Sequence, residues 1–345
     1  MRFVEPIADA EDFGAEIAAI EYELPGRCVT NEELAALHPS WNMQQVEPRT
    51  GVQKRHWCSE NETSLDLAEA ACRKLAARAD LSRVSVLLFC TQTPDYAMPP
   101  NAGLLQHRLG LPRSIAALDY SLACSGFVYG LYLADALIRS KSAEHVLLIT
   151  AETYSKIMNS DDRGPASLFG DGAAATLIRR GSRDIGPFVN GTDGGAAECF
   201  IIPAGGARVP RSDVTGQMIS DSFGNIRSAE QIHMNGANVL DYFKREVPLA
   251  VNCLLRRAKI TISEVDLVVP HQASAIALEL IFKALKVLPE KRYSNLERTG
   301  NTVSASIPIA LRDAEVEGVL ESGMLILLIG FGVGLSWSAC LLRWR

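Results

Sequence analysis

Two apolar runs, VSVLLFCTQ at 84–92 and HVLLITAET at 145–153, are dense in Val, Leu and Ile. Unbroken runs of this length predict buried strands of a layered α/β sheet, and helical patterns lie before and after each. LDLAEAACRKLAARA at 65–79 places apolar residues at helical spacing with charges opposite, which predicts an amphipathic helix capped by Ser64 or Thr63. SGFVYGLYLADALIRS, from Ser125, is apolar nearly all round and predicts a helix buried at the centre of the molecule. Residues 323–342, GMLILLIGFGVGLSWSACLL, carry no charge and approach the roughly 20 residues of a bilayer span. Glycines and serines interrupt that run, so it reads as strand, glycine turn and second strand, and no membrane segment is expected.

The pattern recurs faintly within the chain. Phe169-Gly170-Asp171-Gly172 leads into AAATLIRR, and Phe331-Gly332-Val333-Gly334 leads into LSWSACLLRW. Each is preceded by an apolar strand, and VSVLLFCTQT resembles VDLVVPHQAS of the second half. Such self-similarity predicts a duplicated α/β unit, with halves 1–180 and 185–345 packed as one body. Chance likeness between glycine turns is the competing reading.

Composition narrows the classes. The chain has 345 residues, 48% hydrophobic and 21% charged, enough for one large core or two medium ones. A net charge of −6 gives no electrostatic footprint for nucleic acid, although a local basic patch for a phosphorylated cofactor is compatible with it. The N-terminus, MRFVEPIADAED, has neither a basic n-region nor an apolar h-region, so no secretory signal is read. The eight cysteines are scattered without a CxxC, as expected of reduced thiols in a cytoplasmic protein. His38, His56, His107, His145 and His233 have no metal-ligand spacing, so no metal is expected. FGDGAAA lacks the Walker lysine and precedes a strand, so it does not read as a nucleotide loop.

Three residues are the candidates for chemistry. AALDYSLAC (116–124) reads as an apolar strand and turn, which puts Cys124 at the start of the central helix. Unpaired N–H groups and the helix dipole there favour thiolate, and Ala123, Ser125 and Gly126 leave room for a carbonyl. A buried core cysteine fits the same segment. LVVPHQAS (267–274) puts His271 at a strand end, where open α/β sheets present their sites. RTGNTVSASIPIALR (298–312) puts Asn301 between a glycine turn and a helix, a position that also suits a helix cap. If the fold brings the three together, Cys124 can carry an acyl group as a thioester. His271 and Asn301 can then hydrogen-bond a carbonyl where negative charge develops. Asn cannot titrate, so its role is donation or orientation.

At these residues the chain resembles the β-ketoacyl-acyl-carrier-protein synthase III family, of the thiolase fold. The shared segments run in order along nearly the whole chain: RTGVQKRH (49–56), DYSLACSGFVYGL (119–131), DDRGPASLFGDGAAATLI (161–178), VPHQAS (269–274), GNTVSASIPIAL (300–311) and GFGVGLSW (330–337). The resemblance implies a five-layered αβαβα fold, a homodimer, and no permanently bound cofactor. It implies that Cys124 takes an acyl group from acyl-CoA. A malonyl group on acyl carrier protein then loses CO2, aided by His271 and Asn301, and its enolate attacks the acyl-cysteine. The oxyanion hole would be the backbone N–H groups of Cys124 and Val333, and Phe331 would shape the pocket. Arg49 and Arg163 match arginines that hold the CoA nucleotide and phosphates, a task suited to guanidinium geometry; a surface ion pair is their other reading. Met98 would sit at the dimer seam and reach the partner's acyl pocket.

The chain also departs from the family pattern. Val333 stands where the housekeeping enzymes have a third glycine, Gln45 replaces an adenine-stacking aromatic, and Trp41 lies nearby out of register. Ser274 and Ile276 replace an Asn and an Arg, and Asp241 replaces a carrier-docking lysine. Lys244, Arg245, Arg256, Arg257 and Lys283 remain as positive charge for an acidic carrier, or as a solvated helix face. These changes point to a specialised member, one with an unusual primer or one serving a secondary pathway. A second reading moves the acyl group from the cysteine to an alcohol or amine. Asn301 favours condensation, since simple acyl transfer needs mainly a base. A third, a non-catalytic partner subunit, is opposed by the retained cysteine.

Overall fold

The structure is a computed structural model that describes residues 13–182, 184–221 and 224–345. Its main strands are β1 (Gly14–Glu23), β2 (Val86–Cys90), β3 (Ala116–Tyr120), β4 (His145–Glu152), β5 (Gly172–Gly181), β6 (Ile185–Thr192), β7 (Leu267–Pro270), β8 (Leu325–Gly332) and β9 (Ser336–Arg343). They form two sheets, ordered β1-β5-β4-β2-β3 and β6-β9-β8-β7. In the first, β5 runs antiparallel to β1 and β4, while β4, β2 and β3 are parallel. In the second, β9 runs antiparallel to β6 and β8, while β8 and β7 are parallel. Four strands of one sheet thus repeat in order and direction in the other. Beyond β7, a lone parallel bridge from Val268 to Arg292 occupies the place of β3.

The helices that matter for the site are α1 (Met43–Thr50), α2 (Ser64–Ala76), α3 (Gly126–Arg139), α4 (Arg163–Leu168), α5 (Gly236–Ala258), α6 (Ala275–Leu285) and α7 (Ser306–Val316). α2 covers the outer face of the first sheet, α3 and α7 lie between the sheets, and α5, with α6 against it, covers the second. The result is five layers, α-β-α-β-α. Apolar burial drives the stacking: Phe127, Leu131 and Ile138 of α3 and Ile307 and Leu311 of α7 are fully buried against strands of both sheets. Each such side chain contributes roughly 1.5–3 kcal/mol.

The strands expected at 84–92 and 145–153 are β2 and β4, and the uncharged 323–342 run is the β8–β9 hairpin. No helix among the described residues is long and apolar enough to cross a membrane. The helix expected at 65–79 is α2, and Thr63 is its cap. Thr63 accepts from Asp66 N–H while the Asp66 carboxylate accepts from Thr63 N–H at 3.0 Å. The central helix departs from expectation on one side, because Tyr132 is 43% exposed.

Candidate active site

The C-terminal ends of β3, β7 and β8 converge on one cavity of about 670 Å³. Cys124, His271 and Asn301 all line it, although Cys124 and Asn301 lie 177 positions apart in the numbering. Phe331, Arg49 and Arg163 line it too. A second cavity, about 530 Å³, lies beside His38 and Trp57 and has none of the candidate residues.

Cys124 sits in a single 3-10 turn, Ala123–Ser125, that joins β3 to α3. Ala123 before it has φ +43°, a left-handed conformation that costs an alanine on the order of 1 kcal/mol. The turn is held by Tyr120, whose hydroxyl donates to Gly126 O at 2.8 Å, and by a 2.7 Å contact between the Ser125 and Ser336 hydroxyls. Gly332 at the end of β8 lies directly against Cys124: a Cβ there would stand 2.6 Å from Cys124 Cβ and 2.8 Å from Sγ. Only glycine fits.

The charge state of the thiol corrects the sequence-based expectation. Burial pushes the Cys124 thiol well above its ordinary value, and the buried Glu152 carboxylate pushes the same way. Hydrogen bonds from the backbone at Cys124 and Val333 oppose this without reversing it. The helix-terminus effect is real but smaller than desolvation of a residue only 4% exposed. At rest the sulfur is a thiol. The same two backbone groups were the expected oxyanion hole, and both act on the sulfur.

His271 follows β7 and is held by its own N–H, which donates to Ile329 O at 2.7 Å. Its ring is 2% exposed, and burial pushes its pKa down to about 3, so the imidazole is neutral. Phe331 packs edge-on against it at 5.4 Å. Nδ1 lies 2.7 Å from the Ser306 hydroxyl, and Nε2 lies 3.4 Å from Asn301 Nδ2. Asn301 is not the helix cap that the sequence allowed, because Thr302 precedes the turn Val303–Ala305 and Ala305 precedes α7. Its Oδ1 accepts from Val303 N–H at 2.9 Å, which fixes the side chain, while Nδ2 reaches Ala273 O at 3.3 Å beside the cavity. Gly300 makes this possible with φ +67°, where a Cβ would stand 2.9 Å from Arg55 Cβ and 3.0 Å from Leu168 O.

Of the cationic candidates, Arg49 of α1 and Arg163 of α4 line the cavity, and so does Lys244 of α5. None of these three has an ion pair or hydrogen bond among the described residues, so the surface-ion-pair reading of the arginines is not what is found. Lys244 lies one turn beyond Asp241 on the same helix. Trp41 is buried and stacked on His38 at 3.9 Å, away from this cavity, so it does not replace the aromatic missing at Gln45. Met98 is 83% exposed and does not line the cavity of its own chain.

Two site residues were not singled out in the sequence. Ser306 lies inside GNTVSASIPIAL, where three serines or threonines compete and no spacing marks the one that meets His271. Glu152 ends β4 with no exposed surface, and its carboxylate meets Gln92 N–H at 2.9 Å and the Ser304 hydroxyl at 2.8 Å. An acidic residue closing an apolar strand, HVLLITAE, was its signal.

Comparison with known proteins identifies the family and the fold. Residues 118–194 match the family model for 3-oxoacyl-[acyl-carrier-protein] synthase III, and residues 255–344 match the model for its C-terminal part. The chain is 36% identical over 333 residues to the beta-ketoacyl-[acyl-carrier-protein] synthase III of Symbiobacterium thermophilum, covering 95% of this chain and 97% of that one. A crystal structure of a 3-oxoacyl-(acyl-carrier-protein) synthase III superposes with a TM-score of 0.94 at 42% identity, covering 96% of this chain and all of that one. The corresponding enzyme of Pseudomonas aeruginosa gives a TM-score of 0.84 at 32% identity, over 96% and 98% of the two chains.

Proposed function

Since the chain belongs to the 3-oxoacyl-[acyl-carrier-protein] synthase III family, a group of acyltransferases with the thiolase fold, we propose that it catalyses decarboxylative condensation of an acyl group with a malonyl thioester. The observation that carries this reading is the convergence of Cys124, His271 and Asn301 on one cavity, with the two side-chain nitrogens 3.4 Å apart.

The chemistry follows in two steps. The Cys124 sulfur attacks the thioester carbon of acyl-CoA, the bond to the CoA sulfur breaks, and the thiol proton ends on departing CoA. Backbone N–H groups of Cys124 and Val333 hold the tetrahedral oxyanion. The malonyl thioester then enters with its carbonyl oxygen at His271 and Asn301. Its C–C bond to the carboxylate breaks, CO2 leaves, and the electron pair becomes an enolate stabilised by the two N–H donors. The enolate carbon attacks the acyl carbon, the bond to Cys124 breaks, and the sulfur takes up a proton. A neutral His271 suits hydrogen-bond donation to an enolate better than proton delivery, because a pKa of about 3 leaves no imidazolium to act as an acid at neutral pH.

Arg49, Arg163 and Lys244, on the cavity wall without partners, would hold the phosphates of CoA and of the carrier's prosthetic arm. The enzyme would work as a cytoplasmic homodimer built from duplicated halves 1–180 and 185–345, with Met98 supplied to the partner's acyl pocket. No permanent cofactor is called for.

The test is intact mass after incubation with a panel of acyl-CoAs, followed by addition of malonyl carrier protein and measurement of CO2. The wild type gains one acyl mass and then releases CO2, whereas Cys124→Ala gains none. An adduct on Cys124→Ala, or transfer to an alcohol or amine without CO2, overturns the reading.

A further inference from the structure

We propose that Ser306 is a positioning residue that fixes His271 as the Nε2–H tautomer, so that imidazole and Asn301 offer two donors to one oxygen. The inference rests on the condensation reading and deepens it, because that reading needs a donor at Nε2 but does not say what puts the proton there.

Neutral imidazole carries one proton, on either nitrogen, and the partner of the inner nitrogen decides which. Here the inner nitrogen is Nδ1, 2.7 Å from the Ser306 hydroxyl, and both residues are 2% exposed. The hydroxyl has one proton. Among the described residues its other contact is Gln272 N–H at 3.4 Å, which is itself a donor. Nδ1 is therefore the one acceptor the Ser306 hydroxyl meets. If Nδ1 carried the proton, Nε2 could accept from Asn301, but the Ser306 hydroxyl, sealed off from the cavity, would be left without an acceptor at a cost of roughly 1–3 kcal/mol. A proton on Nε2 instead faces the cavity that His271 lines, where solvent can accept it. The O–H donates, Nδ1 accepts, and the ring proton lies on Nε2.

This assignment explains the contact on the other side of the ring. Nε2 and Asn301 Nδ2 lie 3.4 Å apart, and both then carry N–H. Two donors cannot bond each other. Asn301 is locked in that orientation, since its Oδ1 already accepts from Val303 N–H. With burial holding the ring neutral, neither group can become an acceptor. Both donors lack a common acceptor, and a thioester carbonyl or its enolate supplies one. Ser306 itself is held as the first residue of α7, its N–H donating to Val303 O, so the hydroxyl is fixed from the same turn that orients Asn301.

Selective ¹⁵N-histidine labelling tests this without substrate. His271 is identified by the signal lost in His271→Ala. In the wild type the expected spectrum has a proton-bearing nitrogen at Nε2 and a bare one at Nδ1, unchanged from pH 5 to 8. In Ser306→Ala the single tautomer gives way to a mixture. CO2 release falls about tenfold, short of the roughly 10²–10³ lost when a donor is removed outright, while the rate of Cys124 acylation is retained. Ser306→Thr, which keeps the hydroxyl, recovers the tautomer and part of the CO2 release. A wild-type spectrum with the proton on Nδ1 overturns the inference whether or not Ser306→Ala folds. So does a Ser306→Ala protein with wild-type tautomer and CO2 release. A wild type that has the Nε2 proton but releases no CO2 sinks the condensation reading and leaves the assignment of Ser306 standing.

Discussion

Glu152 and His271 are both buried, and burial moves their pKa values in opposite directions. Desolvation pushes Glu152 up to about 8 and His271 down to about 3. The sign of each effect on stability follows from which state binds more protons. Between its unfolded value near 4.5 and about 8, folded Glu152 keeps a proton that the unfolded chain has lost, so its contribution to stability fades as pH rises through that window. Between about 3 and 6.5, unfolded His271 binds a proton that the folded ring refuses, so its contribution fades as pH falls. Glu152→Gln removes the first effect and keeps the shape, because an amide can accept from Gln92 N–H and donate to the Ser304 hydroxyl. Urea midpoints should separate as pH rises from 5 to 8, with the variant the more stable by a few kcal/mol at pH 8 and the gap level beyond. Parallel curves for the two proteins would show that Glu152 is ionised in the folded state at neutral pH. The same substitution lowers the Cys124 pKa, because above about pH 8, where Glu152 is ionised, it removes a charge that opposes thiolate formation.

The turns that carry the proposed catalytic groups are tight enough for single methyl groups to separate the two proposed half-reactions. Gly332→Ala puts a Cβ within 2.8 Å of the Cys124 sulfur, so the variant should lose most of its acylation, at least about a hundredfold, and 1–3 kcal/mol of stability through overpacking. Gly300→Ala strains a φ of +67° and presses on Arg55 and Leu168 O, so it displaces Asn301 while the Cys124 turn is untouched. Its acylation by acyl-CoA should persist within a few-fold while CO2 release falls by roughly 10² or more. Rapid-quench acylation and CO2 assays on both variants check the split; equal losses in both steps for Gly300→Ala would show that Asn301 does not act selectively in the second half-reaction. These elements also mark how far the sequence could be read. Strands β2, β4, β8 and β9 and helix α2 were legible because each has its own periodicity and stop signals. Cys124, His271 and Asn301 were legible as candidates because each stands at the end of such an element. The sign of the thiol shift was not, because it depends on burial and on Glu152, which is 28 positions away in the numbering. Ser306 was not legible either, because a hydrogen bond between residues 35 apart leaves no local pattern.

At the scale of the whole molecule, the first sheet ends at β3, whose only sheet partner among the described residues is β2. Its outer edge has backbone groups with no neighbour in the sheet, and Leu118 on it is 42% exposed. Natural proteins blunt or cover such edges. β3 has no lysine, arginine or proline in AALDY to blunt it, so pairing with the same strand of a second copy, across a two-fold axis, is the simplest cover. Tyr132 of α3 and Met98, 43% and 83% exposed, would be further apolar surface for that face. Sedimentation should then find twice the 37.4 kDa chain mass for the wild type and a single chain for Leu118→Lys, which places charge on the shared edge. Met98→Trp should keep the dimer, because Met98 lies outside the strand. It should also shorten the longest acyl group captured on Cys124, because a larger side chain from the partner would fill the far end of the pocket. A wild type that sediments as one chain removes the dimer. A dimeric Met98→Trp with an unaltered acyl profile would leave the seam intact and take Met98 out of the pocket.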